Sequence, residues 1–312
     1  MLADTRVVAV MVSVCAGGSA ADAAQVHLPT NLGNGADAEV RESIPDQNRG
    51  ASTEIATRIV DRVPSGDQAD GNDRNSIIYL QFDLTQVDVF TTAGSTLRMT
   101  LRNNNISETR IHDTDGVAPD FGKNGLVYYG IPGAAIDEAA ITYNTAPGLT
   151  PDGDVGTVDF NGAAVPLGER DLPDIGSQNW LAVGMSLDFQ SAALDAFLEN
   201  ERMTNPSGVA VIAVARRNLG LVSTSAAPKT GDEPSAWANF NYLFNPKEQT
   251  MLNSDSNYDA DVNDPNNPLG SPWSGGDNTT GEFSPQLVFV PVPSAVALWG
   301  VVGIAVGCRR SR

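Results

Sequence analysis

The sequence predicts an all-β fold: an antiparallel jelly-roll β-sandwich with one short helix, plus an N-terminal signal segment and a C-terminal membrane helix. Three observations carry this. Charged residues make up 18% and aromatics 6% of 312 residues, against 30 Gly and 19 Pro, a balance that suits short strands joined by many turns. Apolar residues recur at period two along the middle of the chain, the spacing of strands buried on one face. Both ends carry apolar runs that differ in character from everything between them.

The N-terminal run follows Arg6. Residues 7–16 are apolar and residues 17–24 are small, the order of a secretory signal, with Ala21-Asp22-Ala23 as the exit site. Residues 1–23 are therefore expected to be a signal peptide. Val14 before Cys15 is too bulky for a lipoprotein cleavage site.

Strand signals follow in order. Leu80, Phe82 and Leu84 alternate with Tyr79, Gln81 and Asp83, and Leu97, Met99 and Leu101 alternate with Thr96, Arg98, Thr100 and Arg102. Each pattern predicts a half-buried strand with one face in water. Leu181, Val183, Leu187 and Phe189 predict another strand, kinked at Gly184. Asp188 or Ser191 can cap a helix whose Leu194, Phe197 and Leu198 form the i, i+3, i+4 stripe, running to Arg202 and stopped by Asn205-Pro206-Ser207-Gly208. Residues 209–215 are continuously apolar and belong in a sheet centre. Residues 216–282 read as an irregular Asn/Asp/Gly-rich insertion, and residues 286–290 as the closing strand. No internal repeat of the solenoid kind is present.

Beyond the body, residues 287–308 are almost free of polar groups and end in Arg309-Arg310-Ser311-Arg312. Pro291 and Pro293 break the front of this run, leaving residues 295–308 as a short membrane helix. Its glycines at 300, 303 and 307 suit helix packing, and its terminal arginines stay on the cytoplasmic side. Setting aside both ends leaves a body, residues 24–290, with 36 acidic and 15 basic residues, a charge near −21, and no cysteine. Stability must then come from core area or bound ions rather than disulfides. A pI near 4.3 excludes a nucleic-acid partner, because such a surface repels phosphate.

Pro291-Val292-Pro293-Ser294, the apolar segment and the Arg309, Arg310 cluster resemble the PEP-CTERM sorting signal of exopolysaccharide-producing bacteria. The resemblance implies an exosortase-type sorting enzyme as partner and delivery to the cell surface, with Val292 standing where the family usually has Glu. The body resembles DNRLRE-type domains, jelly-roll modules related to carbohydrate-binding modules. The resemblance rests on Ala36-Asp37-Ala38-Glu39-Val40-Arg41, Asn48-Arg49-Gly50, Arg74 and Tyr79-Leu80-Gln81-Phe82-Asp83-Leu84. It continues with Ser95-Thr96-Leu97-Arg98-Met99, Ile141-Thr142-Tyr143-Asn144-Thr145-Ala146-Pro147, Asp188-Phe189 and Ser284-Pro285-Gln286-Leu287. Tyr143 stands where that family commonly has Trp. The two resemblances together imply glycan binding at the cell surface.

For chemistry, Asp255, Asn257, Asp259 and Asp261 place four oxygen ligands at alternate positions of one loop, a pattern able to wrap Ca2+ as a structural cofactor. It is not an EF-hand, since Ala260 replaces the required Gly and Asn266 the bidentate Glu. A solvated acidic loop accounts for the same pattern. Trp180, Trp237, Trp273, Tyr143 and the pair Tyr128-Tyr129 are candidates for stacking on sugar rings, with core packing as the alternative for each. Arg98 and Arg102 on a wet strand face are candidates for pairing with glycan carboxylates, or with surface acids.

No nucleophile elbow, zinc-protease helix or phosphate loop is present, and His27 and His112 lack a nucleophile nearby in sequence. The expected function is an exported, surface-retained, non-catalytic protein that binds exopolysaccharide or another cell-surface glycan or serves in an extracellular matrix. Two alternatives stand beside it. One is a purely structural or adhesive surface protein. The other is a polysaccharide lyase or hydrolase built on a carboxylate pair whose separation sequence does not reveal.

Overall fold

In the computed structural model, the described residues are 25–59, 75–87, 91–104, 125–151, 158–172, 186–217, 240–248 and 283–290. The strands are β1 (Val26–Pro29), β2 (Ala36–Arg41), β3 (Ile55–Ile59), β4 (Ser76–Asp83), β5 (Thr91–Asn104), β6 (Gly125–Gly130), β7 (Leu149–Thr150), β8 (Asp159–Phe160), β9 (Val165–Asp171), β10 (Ser186–Phe189), β11 (Val209–Arg216), β12 (Phe240–Phe244) and β13 (Gln286–Val290); α1 (Ala192–Thr204) precedes β11. Every strand pairing among the described residues is antiparallel. The protein is thus mostly β, with one α-helix among the described residues.

The ladder runs β1–β13–β5–β12–β3–β4–β11–β6–β9, with β10 also on β5 and β2 also on β4; β7 and β8 form a separate hairpin. The 14-residue β5 links two groups, pairing with β13 and β10 on one hand and with β12 on the other. Leu28, Leu97, Met99, Phe189 and Phe289 of the first group share a core with Ile78, Leu80, Phe82, Tyr128, Ile212 and Phe244 of the second.

Alternation explains the inward face of β4, as expected from Leu80 and Phe82. Its other face is not in water. All eight residues of β4 and all eight of β11 are buried, because a second core lies on the far side. Ile77 and Tyr79 of β4 and Val211, Ala213 and Ala215 of β11 pack there with Ala36, Ala38 and Val40 of β2 and with Ile131, Ile136, Ile141 and Leu149. The covering segment is fastened by polar bonds. Tyr79 Oη donates to Pro147 O (2.9 Å), and Gln81 Oε1 accepts from Ile136 N (2.8 Å). Tyr79 and Gln81 of β4 therefore act as clasps for a second layer.

The same correction holds for β5. Thr96, Thr100 and Arg102 are buried, and only Arg98 keeps part of its side chain in solvent on that alternation. Within the expected insertion, β12 is a core strand whose Tyr242 and Phe244 join the main cluster. The signal segment, the kink at Gly184 and the C-terminal helix lie outside the described residues; among those described, no helix is long and apolar enough to cross a membrane.

The helix is where the sequence places it. Ser191 Oγ accepts from Leu194 N (2.9 Å) and donates to Leu167 O (2.6 Å), so the cap also ties α1 to β9. Asp195 accepts from the backbone N–H of Gly94 (2.8 Å) and Ser95 (2.9 Å), tying the first turn to β5. The buried Glu201 accepts from Gly133 N (2.9 Å) and Asn205 Nδ2 (3.0 Å), tying the last turn to the second-core segment. Leu194, Phe197 and Leu198 fill the main core.

Gly130 of β6 lies against the Phe197 ring of α1. A Cβ there would stand 2.6 Å from the Phe197 ring. Gly130→Ala is therefore expected to overpack the junction and lower stability by about 1–3 kcal/mol, read as a lower denaturant midpoint with unchanged slope.

Candidate functional site

On β2 the usual assignment of faces is reversed. Ala36, Ala38 and Val40 enter the second core, while register pairs Asp37 with Leu80 and Glu39 with Ile78, on the side of the main core. Two carboxylates are thereby buried completely. Glu39 is matched by guanidinium groups, with Arg41 Nε at 2.5 Å and Arg49 Nε at 3.4 Å. Asp37 is answered differently.

Asp37 Oδ2 accepts from Thr30 Oγ1 (2.6 Å) and Lys247 N (3.1 Å), while Asp37 N donates to Glu138 Oε1 (3.3 Å). Glu138 is held in place by its own backbone, whose carbonyl accepts from Asn48 Nδ2 at 2.7 Å. Gly50 passes so near that a Cβ would lie 2.0 Å from that carbonyl oxygen, which explains why the chain carries glycine after Asn48-Arg49. Lys247 and Glu248 arrive just after β12. Lys247 Nζ reaches Glu138 Oε2 (2.5 Å), Gly35 O (3.1 Å) and Glu248 Oε1 (3.9 Å).

One carboxylate oxygen from each of Asp37, Glu138 and Glu248 can be chosen so that all three lie within 4.8 Å of one another. Burial raises the Asp37 carboxyl to about 6, against the pull of the Thr30 and Lys247 hydrogen bonds. Burial, then the charges of Asp37 and Glu138, raise Glu248 to about 9. Asp83 shows the contrast. Burial pushes it up, but hydrogen bonds from the Thr85 hydroxyl, Asn34 N, Thr85 N and Gln86 outweigh that and hold it below the ordinary carboxylate range.

The residues singled out from sequence fall elsewhere. Asp255, Asn257, Asp259 and Asp261 lie outside the described residues, as do Trp180, Trp237, Trp273, His112 and the sorting residues Pro291, Val292, Pro293, Arg309 and Arg310. Tyr143 is 2% exposed and packs in the second core, so its ring has no face free for a sugar. Arg102 is also a correction. It is 4% exposed and its guanidinium donates to Thr53 O, an inward task that leaves it unable to meet an external carboxylate. Arg98 is accessible but engaged, its Nε and Nη2 gripping Asp188 at 2.8 and 2.7 Å. His27 is exposed and shares a 2.8 Å bond with Gln286.

Of the tyrosine pair, Tyr128 is buried and stacked on Phe189, whereas Tyr129 faces the opposite way. Tyr129 stacks on Phe160 with centroids 4.2 Å apart and an interplanar angle of 22°, both rings half-buried. Burial, with the charges of Glu169 and Asp159 nearby, raises its phenol. Further along this face Arg217 bridges Glu169 (2.8 Å) and Asp171 (2.6 Å).

Comparison with known proteins gives no matching family model and no match among curated proteins.

The raised carboxyls set a pH dependence. The folded state holds protons on Asp37 and Glu248 that the unfolded chain releases near its ordinary carboxylate values, so stability falls as pH rises from about 4 toward 9. With chelator present, the melting temperature is expected to decline across that range. Glu248→Gln, which keeps the neutral shape, should flatten the decline at the alkaline end.

Proposed function

We propose that this protein is an exported, surface-retained, non-catalytic module of jelly-roll type that binds exopolysaccharide or another cell-surface glycan, or acts as a matrix component. The PEP-CTERM-like tail and signal-like N-terminus support export and handling by an exosortase-type enzyme, with the C-terminal helix as at least a transient membrane anchor. The DNRLRE-like motifs support the glycan-binding reading of the sandwich.

The observation that carries the reading is the Tyr129–Phe160 stack. Aromatic faces pack against the apolar C–H faces of sugar rings, and the carboxylates of Glu169 and Asp159 beside them accept hydrogen bonds from hydroxyl groups. The Arg217 fork with Glu169 and Asp171 adds donors at the margin. Such a surface suits hydroxyl-rich rings directly and acidic glycans through a bridging cation.

The test is native affinity electrophoresis in gels cast with alginate-like or neutral polysaccharides, with Ca2+ and with chelator. The protein should be retarded in at least one gel, and Phe160→Ala should weaken binding about tenfold, the loss of about 1.4 kcal/mol. Free reducing or unsaturated ends should not accumulate. A folded protein that runs unretarded in every gel overturns the reading in favour of a structural or adhesive role; new chain ends would favour a lyase or hydrolase.

A further inference from the structure

A second site follows from the carboxylates around Asp37, and it stands independently of the glycan-binding reading. Proximity alone would mean little, since acidic groups often cluster. The decisive feature is unmet bonding. Asp37 Oδ1 and Glu248 Oε2 are each buried and have no hydrogen-bond partner among the described residues, and Asp37 as a whole is 0% exposed. A buried carboxylate oxygen without a partner is a costly arrangement that folded chains avoid. The local charge is also unbalanced, with three carboxylates against the single ammonium of Lys247.

We propose that Asp37, Glu138 and Glu248 form a binding site for a divalent cation, Ca2+ by its chemistry, which clips β2, the segment after β6 and the segment after β12 to one another. The donors are all hard oxygens, with no imidazole or thiolate in the cluster, which selects Ca2+ over zinc. Their mutual spacing, within 4.8 Å, accommodates Ca–O distances of about 2.3–2.6 Å on opposite sides of one ion. Three carboxylates leave positions for water among the six to eight that Ca2+ takes. A dipositive ion would displace the proton that the ion-free cluster holds, balance the charge of −2 that the three ionised carboxylates and Lys247 then carry, and give the orphan oxygens a partner. The Lys247 backbone N–H and the Thr30 hydroxyl, which hold Asp37 Oδ2, orient the remaining oxygen as second-layer bonds do around known ions.

This differs from the loop of Asp255, Asn257, Asp259 and Asp261, where sequence alone would place the ion. It joins residues 37, 138 and 248, from three distant parts of the chain, so the ion would staple tertiary structure in a body without cysteine. The alternative occupant is a proton shared between Glu248 and its neighbours.

The experiment is thermal melting of the chelator-treated full chain, with and without millimolar Ca2+, alongside titration calorimetry with Ca2+ alone. Wild type should gain several degrees and bind Ca2+. Glu248→Gln should lose most of the gain and weaken Ca2+ at least tenfold, whereas the double variant Asp259→Asn, Asp261→Asn should keep a site of unchanged affinity. Glu138→Gln, at a position 24% exposed, is the second variant if the first folds poorly, with the same result expected. Absence of any Ca2+ effect in wild type, or a gain that survives both Glu248→Gln and Glu138→Gln, overturns the proposal and leaves the shared proton.

Discussion

The structure depends on burying β4 and β11 on both faces at once. Neither strand has a solvent face, so the fold needs a core on each side, and the rest of the architecture supplies them. The inner core is the expected one, filled by alternate residues of facing strands. The outer core has to be assembled from a connection that would otherwise be a surface loop. Residues 131–149 provide it, and their backbone bonds to Tyr79, Gln81 and Glu201 substitute for the ladder that a true third sheet would offer. Each of those polar side chains would be expensive to bury alone; each is buried with a partner in the covering layer.

Double burial also decides where charge can go. β2 runs beside β4 and turns its alanines and valine outward, where the second core accepts small residues, and turns Asp37 and Glu39 inward. Glu39 is compensated by arginines and Asp37 by hydroxyl and amide donors, with Lys247 reaching its acidic neighbour Glu138. A strand with acidic residues on its core side is stable only where other segments converge on it, and here the 138 and 248 segments do so. The acidic cluster is thus a product of packing geometry before it is anything chemical.

How much of this was legible depends on the range of the interaction. Local signals read well. The Ser191 cap, the Leu194, Phe197, Leu198 stripe and the apolar run of β11 all specify their elements within a few residues. The alternation of β4 and β5 reveals strands and their inner faces, but polar residues on the alternate positions look the same whether they face water or a second layer. Arg102, on β5, reads as solvent-facing for that reason, whereas Tyr143 lies in the covering segment, where nothing local distinguishes packing from sugar stacking. Asp37, Glu138 and Glu248 could not be grouped from sequence, because more than a hundred residues separate each from the next. Their one sequence-level sign was Asp37 and Glu39 set between the apolar residues of a short strand. β12 was obscured by its surroundings, although Phe240, Tyr242 and Phe244 alternate plainly.

The pairing of the first and last strands has a geometric consequence. Val26 stands opposite Phe289 and Pro29 opposite Gln286, so the chain enters and leaves the sandwich side by side at one edge. A short peptide could join residues 26 and 289 without disturbing any other strand, which makes the body a natural candidate for circular permutation or for insertion into a loop of another protein. It also means that tension drawn along the C-terminal chain bears first on β13, held between β1 and β5, and that β1 would peel away as its neighbour gave. Grip at that seam, rather than the bulk of the core, would limit how much mechanical load the protein bears.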